Sequence, residues 1–509
     1  MRKFLFLALT TLLTTMNSVF AMSADEFMDK NIAPISDAVA DIIFYQINFF
    51  GTKVPLIIFW ILFAGIFFTI YFKGVSVWGF KHAIDLIAKP AEKSENNGCG
   101  EVSSFQALAT ALSGTIGIGS IAGVAISISI GGPGAAFWIF AGALLGMSIK
   151  FVEATLAVKY RRFNEDGSVS GGPMHYIAHG LTRRKMRWLG QPLSVIFALL
   201  CIGGGITGGN MIQINQSAHQ FVFITGGEHS ILYGSTWIFG LIVAILVGLV
   251  TVGGIKSIAK ITTILVPTMC LMYIVSGLIV IFANIMHIPS ALWLIIREAF
   301  HPTAVAGGVL GTIIIGLRRS VQSNEAGTGA AAIVYATAQT KEPVSQGFVA
   351  LLETFLTGIL CLFTSFAIIF SGACTHAAKE ISGIELASNA FQSVIPFFPV
   401  ILSIIAILFA LSTLISWAYY GQKAWTFLFG EGKKRALTFN LIYCIFIVVG
   451  SVMNVKSVIN ITDAMMMAMC VPNIIVLYIL CPEIKKDLID YCSRLKFTKV
   501  YGNKEEKRA

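Results

Sequence analysis

Eight consecutive residues, Ser113-Gly114-Thr115-Ile116-Gly117-Ile118-Gly119-Ser120, carry the most readable chemistry in this chain. They interrupt a long apolar run, and three glycines within two turns predict a broken helix. A backbone unwound inside lipid leaves N–H and C=O groups that are costly unless protein, water or a ligand satisfies them. The half-helix ending at such a break exposes carbonyls, which suit a hard cation such as sodium. The half-helix beginning there offers N–H groups, which suit a carboxylate. One break can thus hold both sodium and a zwitterionic amino acid. Close helix packing is the competing reading of membrane glycines, and it is the better one for Gly142 and Gly146.

Other polar residues lie in apolar surroundings. Ser412 and Thr413 are adjacent hydroxyls, with Trp417 four residues beyond Thr413 on nearly the same face. Such hydroxyls either ligate a cation or, more commonly, bond back to the preceding turn. Trp417 alone also fits an interfacial aromatic belt. The run from Gly208 to Asn215 places Asn210, Gln213 and Asn215 in a long apolar helix, facing either a neighbouring helix or a ligand. Gly311 and Thr312, in a second glycine-rich segment at 303–317, are expected to face the same centre. Glu153 reads as a structural ion pair with Lys159 or Arg161, and Glu353 as a group with a coupling role. No Walker-type loop, metal-spaced His/Cys cluster or nucleophile elbow accompanies them. The chain reads as neither an enzyme nor a cofactor protein, and nothing in it binds a nucleotide.

The elements that position these residues follow from composition. Of 509 residues, 56% are hydrophobic and 12% charged, and mean hydropathy is +0.79. A span needs about 20 apolar residues, and candidate spans fall at 54–72, 105–130, 135–158, 193–223, 231–252, 261–285, 303–317 (continuing into a polar stretch), 346–370, 397–419, 437–455 and 462–480. The segment 290–300 is short and amphipathic, as for an external interfacial or re-entrant helix. The first 21 residues, MRKFLFLALTTLLTTMNSVFA, read as a cleavable signal peptide, with an uncleaved membrane helix as the alternative. The net charge of +10 does not call for nucleic acid. Its lysines and arginines, among them Arg183, Arg184, Lys256, Arg318, Arg319, Lys433 and Lys434, are assigned to inner loops and the tail. The outer loops 226–230 and 455–461 carry almost none. This alternation predicts an outside N-terminus and a cytoplasmic C-terminus. Nine scattered cysteines, with only Cys374 in an outer loop, give no disulfide framework.

With the first span set aside, glycine-interrupted helices open each group of five. That is the pattern of an inverted-repeat transporter with a midplane site. The predicted fold is an all-α polytopic five-plus-five inverted repeat with two broken helices and one extra N-terminal span. Residues 22–104 form the N-terminal segment, 105–481 the core (repeats at about 105–285 and 303–481) and 482–509 a cytoplasmic tail.

Several segments point to one family: GVAISISIGGPGAAFW, GMSIKFVEATLAVKYR, SGGPMHYI, GGNMIQ, RRSVQSNEAGTGAAAIVYATAQTKEPVSQG and FALSTLISWAYYG. In this order they resemble the alanine or glycine:cation symporters (sodium:alanine symporters) of the amino acid–polyamine–organocation superfamily. The resemblance implies a solute at Gly117, Ile118, Gly119, Ser120, Gln213 and Trp417. It also implies sodium between the carbonyls of Ser113 and Ile116 and the hydroxyls of Ser412 and Thr413. Two positions depart from the family pattern: Ser120 stands where Asn is usual, and Phe355-Leu356-Thr357-Gly358 lacks the usual Asp-Thr.

The expected function is sodium-coupled uptake of a small neutral amino acid, alanine or glycine, across a bacterial inner membrane by alternating access. A proton-coupled or exchange carrier of the same fold is the nearest rival, and a transporter-like receptor a remote one. A channel would need a charge ring or filter loop that the sequence lacks. The lipid bilayer, sodium and the amino acid are the only partners implied.

Overall fold

The computed structural model describes residues 33–49, 52–88, 100–301, 308–372, 383–453, 455–495 and 500. The expected signal peptide, the Cys374 loop and all but one residue of the tail beyond 495 lie outside these. A helix at Ala33–Ile43 and an antiparallel hairpin, Gln46–Phe49 with Thr52–Pro55, precede the bundle. The bundle begins with α1 (Leu56–Tyr71).

The first expected break is present. Helix α2 (Ser104–Thr115) starts at a capping box, in which Ser103 Oγ accepts from the Gln106 N–H and Gln106 Oε1 from the Ser103 N–H. It stops at Ile116; Gly117 is extended, and a single 3-10 turn at Ile118–Ser120 leads into α3 (Ala122–Gly131). The halves meet at 63°. Gly132, at φ 66, and Pro133 then turn the chain into α4 (Gly134–Lys159).

Next come α5 (Arg187–Ile206), a π-turn at Thr207–Met211 and α6 (Ile212–Ile224). These are followed by α7 (Thr236–Thr251), α8 (Gly254–Ala283) and the short amphipathic helix Ile288–Phe300. Helix α9 (Gly308–Asn324) and the one-turn α10 (Ala332–Tyr335) precede α11 (Pro343–Phe370), α12 (Phe398–Phe429), α13 (Lys433–Gly450) and α14 (Val455–Leu495).

Among the described residues, six helices are long and apolar enough to cross a membrane, or up to eight if each bent pair is one span. The other expected spans fall on α7, α9 and α13. Helices α4 and α11 pack along each other, α9 lies against α4, and α12 contacts α2, α5 and α6. This arrangement surrounds the first break with α6, α9, α11 and α12.

Three expectations change. The segment 303–307 lies outside the described residues, but Gly311 and Thr312 sit inside the continuous helix α9. The described interruption comes later, at Glu325–Ala331, where Glu325 (φ 54), Gly327 (φ 93) and Gly329 (φ 75) turn the backbone. Glycine reaches such angles without steric cost and a glutamate does so rarely. Second, Arg318 and Arg319, assigned above to an inner loop, lie within α9 rather than in a loop. The expected outer loop at 455–461 is already helical in α14.

Candidate functional site

The two breaks face one small, partly open cavity of about 40 Å³. Gly114, Thr115, Gly117, Ile118 and Gly119 line it from the first break, and Glu325 from the second. Gln213 and Gln216 (α6), Arg319 and Gln322 (α9), Trp417 (α12) and Thr462 (α14) complete its polar lining.

Each exposed end of the first break has a protein partner on one side. Gln213 Oε1 accepts from the Ile118 N–H at 3.0 Å, and Gln213 Nε2 donates to the Gly208 carbonyl at 3.1 Å. The amide thus ties the break to the π-turn. At Gly119 a Cβ would meet nothing within 4 Å, so this face is open to the cavity. At Gly117 it would come within 2.8 Å of Gln213 Oε1 and 3.1 Å of Thr413 Oγ1.

The carbonyl end of α2 meets α12. Thr413 Oγ1 donates to the Ser113 carbonyl at 2.9 Å, and Ser113 Oγ to the Ser412 carbonyl at 2.6 Å. Ser416 Oγ lies 2.9 Å from Ser113 Oγ and 3.0 Å from the Thr110 carbonyl. The Ser412 side chain bonds back to the Phe409 carbonyl at 3.0 Å, so Ser412 faces the crossing with its backbone. Ile116 is fully buried at the end of α2. The structure therefore brings Ser113, Thr413 and the Ser412 carbonyl together as an oxygen-rich crossing.

Trp417 Nε1 donates to Glu325 Oε1 at 3.0 Å. Its ring packs where the π-turn has no side chain: a Cβ on Gly209 would stand 2.1 Å from Trp417 Cγ. The neighbouring amides bridge helices, Asn210 to the Tyr443 carbonyl and Asn215 to those of Gly450 and Met453. Of the three amides singled out from sequence, Gln213 alone lines the cavity.

A carboxylate joins the two breaks from behind. Glu353 Oε1 accepts from Thr115 at 2.7 Å and pairs with Lys150 at 2.9 Å, while Oε2 accepts from the Tyr335 hydroxyl at 2.7 Å. Both charged side chains are almost wholly buried, so the ion pair survives only because hydrogen bonds fill the carboxylate's remaining lone pairs. Glu153, read above as an ion pair with Lys159 or Arg161, instead accepts from the Gly327 N–H at 3.0 Å and from Asn473 Nδ2 at 2.7 Å. Asn473 Nδ2 also reaches the Gly327 carbonyl at 2.7 Å, so side chains satisfy the backbone of the second break. Lys159 pairs with Asp487, and Arg161 donates to the carbonyls of Ala336, Ala338 and Thr340.

Three expected solute residues stand outside the cavity lining. Ser120 is buried, with its carbonyl accepting from Thr364 Oγ1 at 3.0 Å. Gly311 and Thr312 lie within α9, where Thr312 Oγ1 bonds back to the Gly308 carbonyl at 3.3 Å. Sequence reasoning missed Arg319, Gln322 and Glu325 as lining residues. The signal was there, since SVQSNEAGTG places two glycines among polar residues directly after an apolar helix.

Comparison with known proteins bears on the family and the fold. The family model described as "Sodium:alanine symporter family" matches residues 37–505. A sodium/alanine symporter, AgcS, from Methanococcus maripaludis is 35% identical over 84% of this chain and 92% of its own length. A probable sodium/glutamine symporter, GlnT, from Bacillus subtilis is 33% identical over 87% of this chain and 88% of its own. The crystal structure of MhsT in complex with L-phenylalanine shares the fold at a TM-score of 0.52 and 15% identity, covering 75% of this chain and 89% of that one.

Proposed function

Because the chain belongs to the sodium:alanine symporter family, whose members are amino-acid transporters of the membrane, we propose that it imports a small neutral amino acid, alanine or glycine, with sodium. The proposed setting is a bacterial inner membrane, with the N-terminus outside and the C-terminus cytoplasmic. The observation that carries the reading is the crossing of α2 and α12 beside the cavity. Ser113 and Thr413 meet at 2.9 Å through oxygen atoms alone, at the carbonyl end of a half-helix.

Sodium lies between the carbonyls of Ser113 and Ile116 and the hydroxyls of Ser412 and Thr413, the last two donating their protons to the Phe409 and Ser113 carbonyls and turning their lone pairs to the ion. The amino acid lies against Gly117, Ile118 and Gly119, with Gln213 and Trp417 closing the cavity around it. Ion and solute then share one break, so each is held best when the other is present. Alternating access follows as α2 and α9 rock against their neighbours around this point.

The experiment uses purified protein in liposomes with labelled alanine and an imposed sodium gradient, a proton gradient or neither. Uphill uptake driven by sodium is expected. Uptake driven by protons alone transfers the reading to the proton-coupled carrier, and binding without uptake to the receptor.

A further inference from the structure

Arg319 is a buried cation that makes no direct ion pair among the described residues. It is 7% exposed and lines the cavity. Its hydrogen-bond partners among the described residues are neutral: Nε donates to Ser127 Oγ at 3.1 Å, and Nη1 to Gln322 Oε1. Asp463 of α14, the acid acting on the two adjacent arginines, pairs with Arg318 at 2.7 Å. No described carboxylate comes within 4.0 Å of Arg319.

A guanidinium withdrawn from water needs an anion and filled donor positions to offset its desolvation. It offers five donors in a planar fork, and the contacts above use two of them. The head lies over Gly123, where a Cβ would stand 2.8 Å from Nη1. Gly123 is four residues from Gly119, across the 3-10 turn and into the first turn of α3, or about 6–8 Å. Between them the cavity wall consists of Gly119, Ala122 and Gly123. A narrow strip without bulky side chains therefore runs from the break to the guanidinium.

We propose that this strip and Arg319 form a side-chain subsite that takes an acidic amino acid. The solute's α-ammonium and α-carboxylate stay at the break. Its side chain lies along the strip, and the terminal carboxylate meets the Arg319 fork, which matches a carboxylate in paired hydrogen bonds. The inference rests on the cavity being the solute site and adds aspartate and glutamate to the solutes it accepts. Alanine and glycine occupy the break and leave the subsite unfilled.

The test measures sodium-driven uptake of labelled alanine in liposomes against unlabelled aspartate, glutamate, asparagine and glutamine. The readout is the ratio of half-inhibiting concentrations, acid relative to its amide. In the wild type the acid of at least one pair is expected to inhibit at least tenfold better than its amide. In Arg319→Met that preference is expected to disappear, and in Arg319→Lys, which keeps charge but loses the fork, to weaken. A wild type that ignores both acids overturns the proposal, as does one that takes acid and amide alike. An unchanged ratio in Arg319→Met assigns Arg319 a structural role and overturns it too. If no gradient drives uptake of any amino acid, the symport reading fails. Thermal protection of the wild type by glutamate, absent in Arg319→Met, then still reports the subsite, and its absence in both removes it.

Discussion

Trp417 and Glu325 are joined by an indole N–H to carboxylate hydrogen bond of 3.0 Å that links the middle of α12 to the start of the second break. Trp417 is 1% exposed and Glu325 2%, and both line the cavity. The bond holds the Glu325 carboxyl at the cavity and fixes the ring over Gly209.

Trp417→Phe keeps an aromatic ring, shortens it and removes the donor. An acceptor left unpaired in a buried site costs about 1–3 kcal/mol, so sodium-driven alanine uptake is expected to fall about 5–150-fold. Tryptophan-independent reporters of folding, such as detergent size exclusion, are expected to be unchanged. Uptake equal to wild type would remove the bond from the transport cycle.

The crossing of α2 and α12 makes a paired prediction. Thr413→Ala deletes the hydroxyl that meets the Ser113 carbonyl, and the sodium concentration for half-maximal uptake is expected to rise several-fold. Ser412→Ala is expected to do less, because the Ser412 hydroxyl already bonds to the Phe409 carbonyl and its backbone carbonyl is what meets Ser113. Equal effects of the two changes would contradict this division of roles.

Gly117 and Gly119 differ in what a methyl group would meet. Gly117→Ala pushes into Gln213 and Thr413, and uptake of both glycine and alanine is expected to be lost. Gly119→Ala places its methyl in the open cavity, and glycine is expected to be favoured over alanine. A methyl is worth about 1–3 kcal/mol in such a pocket, or 10–200-fold in the preference ratio. Competition assays with the two amino acids read that ratio directly.

Lys150→Met leaves Glu353 as an unpaired buried carboxylate, a change that costs about 3–5 kcal/mol. The double variant Lys150→Met/Glu353→Gln removes both charges and keeps one acceptor oxygen for the two hydroxyls of Thr115 and Tyr335 that now donate to the carboxylate. Its apparent Tm in detergent is expected to lie above that of Lys150→Met. A double variant no more stable than the single one would show that the pair does not act as a unit.

The first break was legible because its signal is local: glycines and hydroxyls inside an apolar run, capped upstream by Ser103 and Gln106. The family resemblance joined it to Ser412, Thr413 and Trp417 across some 300 residues of chain. The second break was misplaced for the same reason the first was found. Glycines in the apolar part of 303–317 drew the eye, whereas the turn at Glu325–Gly329 sits in a polar stretch that reads as an ordinary loop. Arg318 and Arg319 were counted as loop charges on that logic. Only three-dimensional packing brings them their distant partners, Ser127 from α3 and Asp463 from α14. The partners of Glu153 were likewise out of reach, since Gly327 and Asn473 are 174 and 320 residues away.

The Lys150–Glu353 pair also sets a timetable for biosynthesis. The two residues are 203 positions apart, so a ribosome adding about 5–20 residues per second makes the glutamate roughly 10–40 s after the lysine. Through that interval the acid at hand for Lys150 is Glu153, three residues on along the same helix. Only when α11 emerges can Lys150 take up its partner Glu353, so the closing of this buried pair belongs to a late stage of the bundle's maturation.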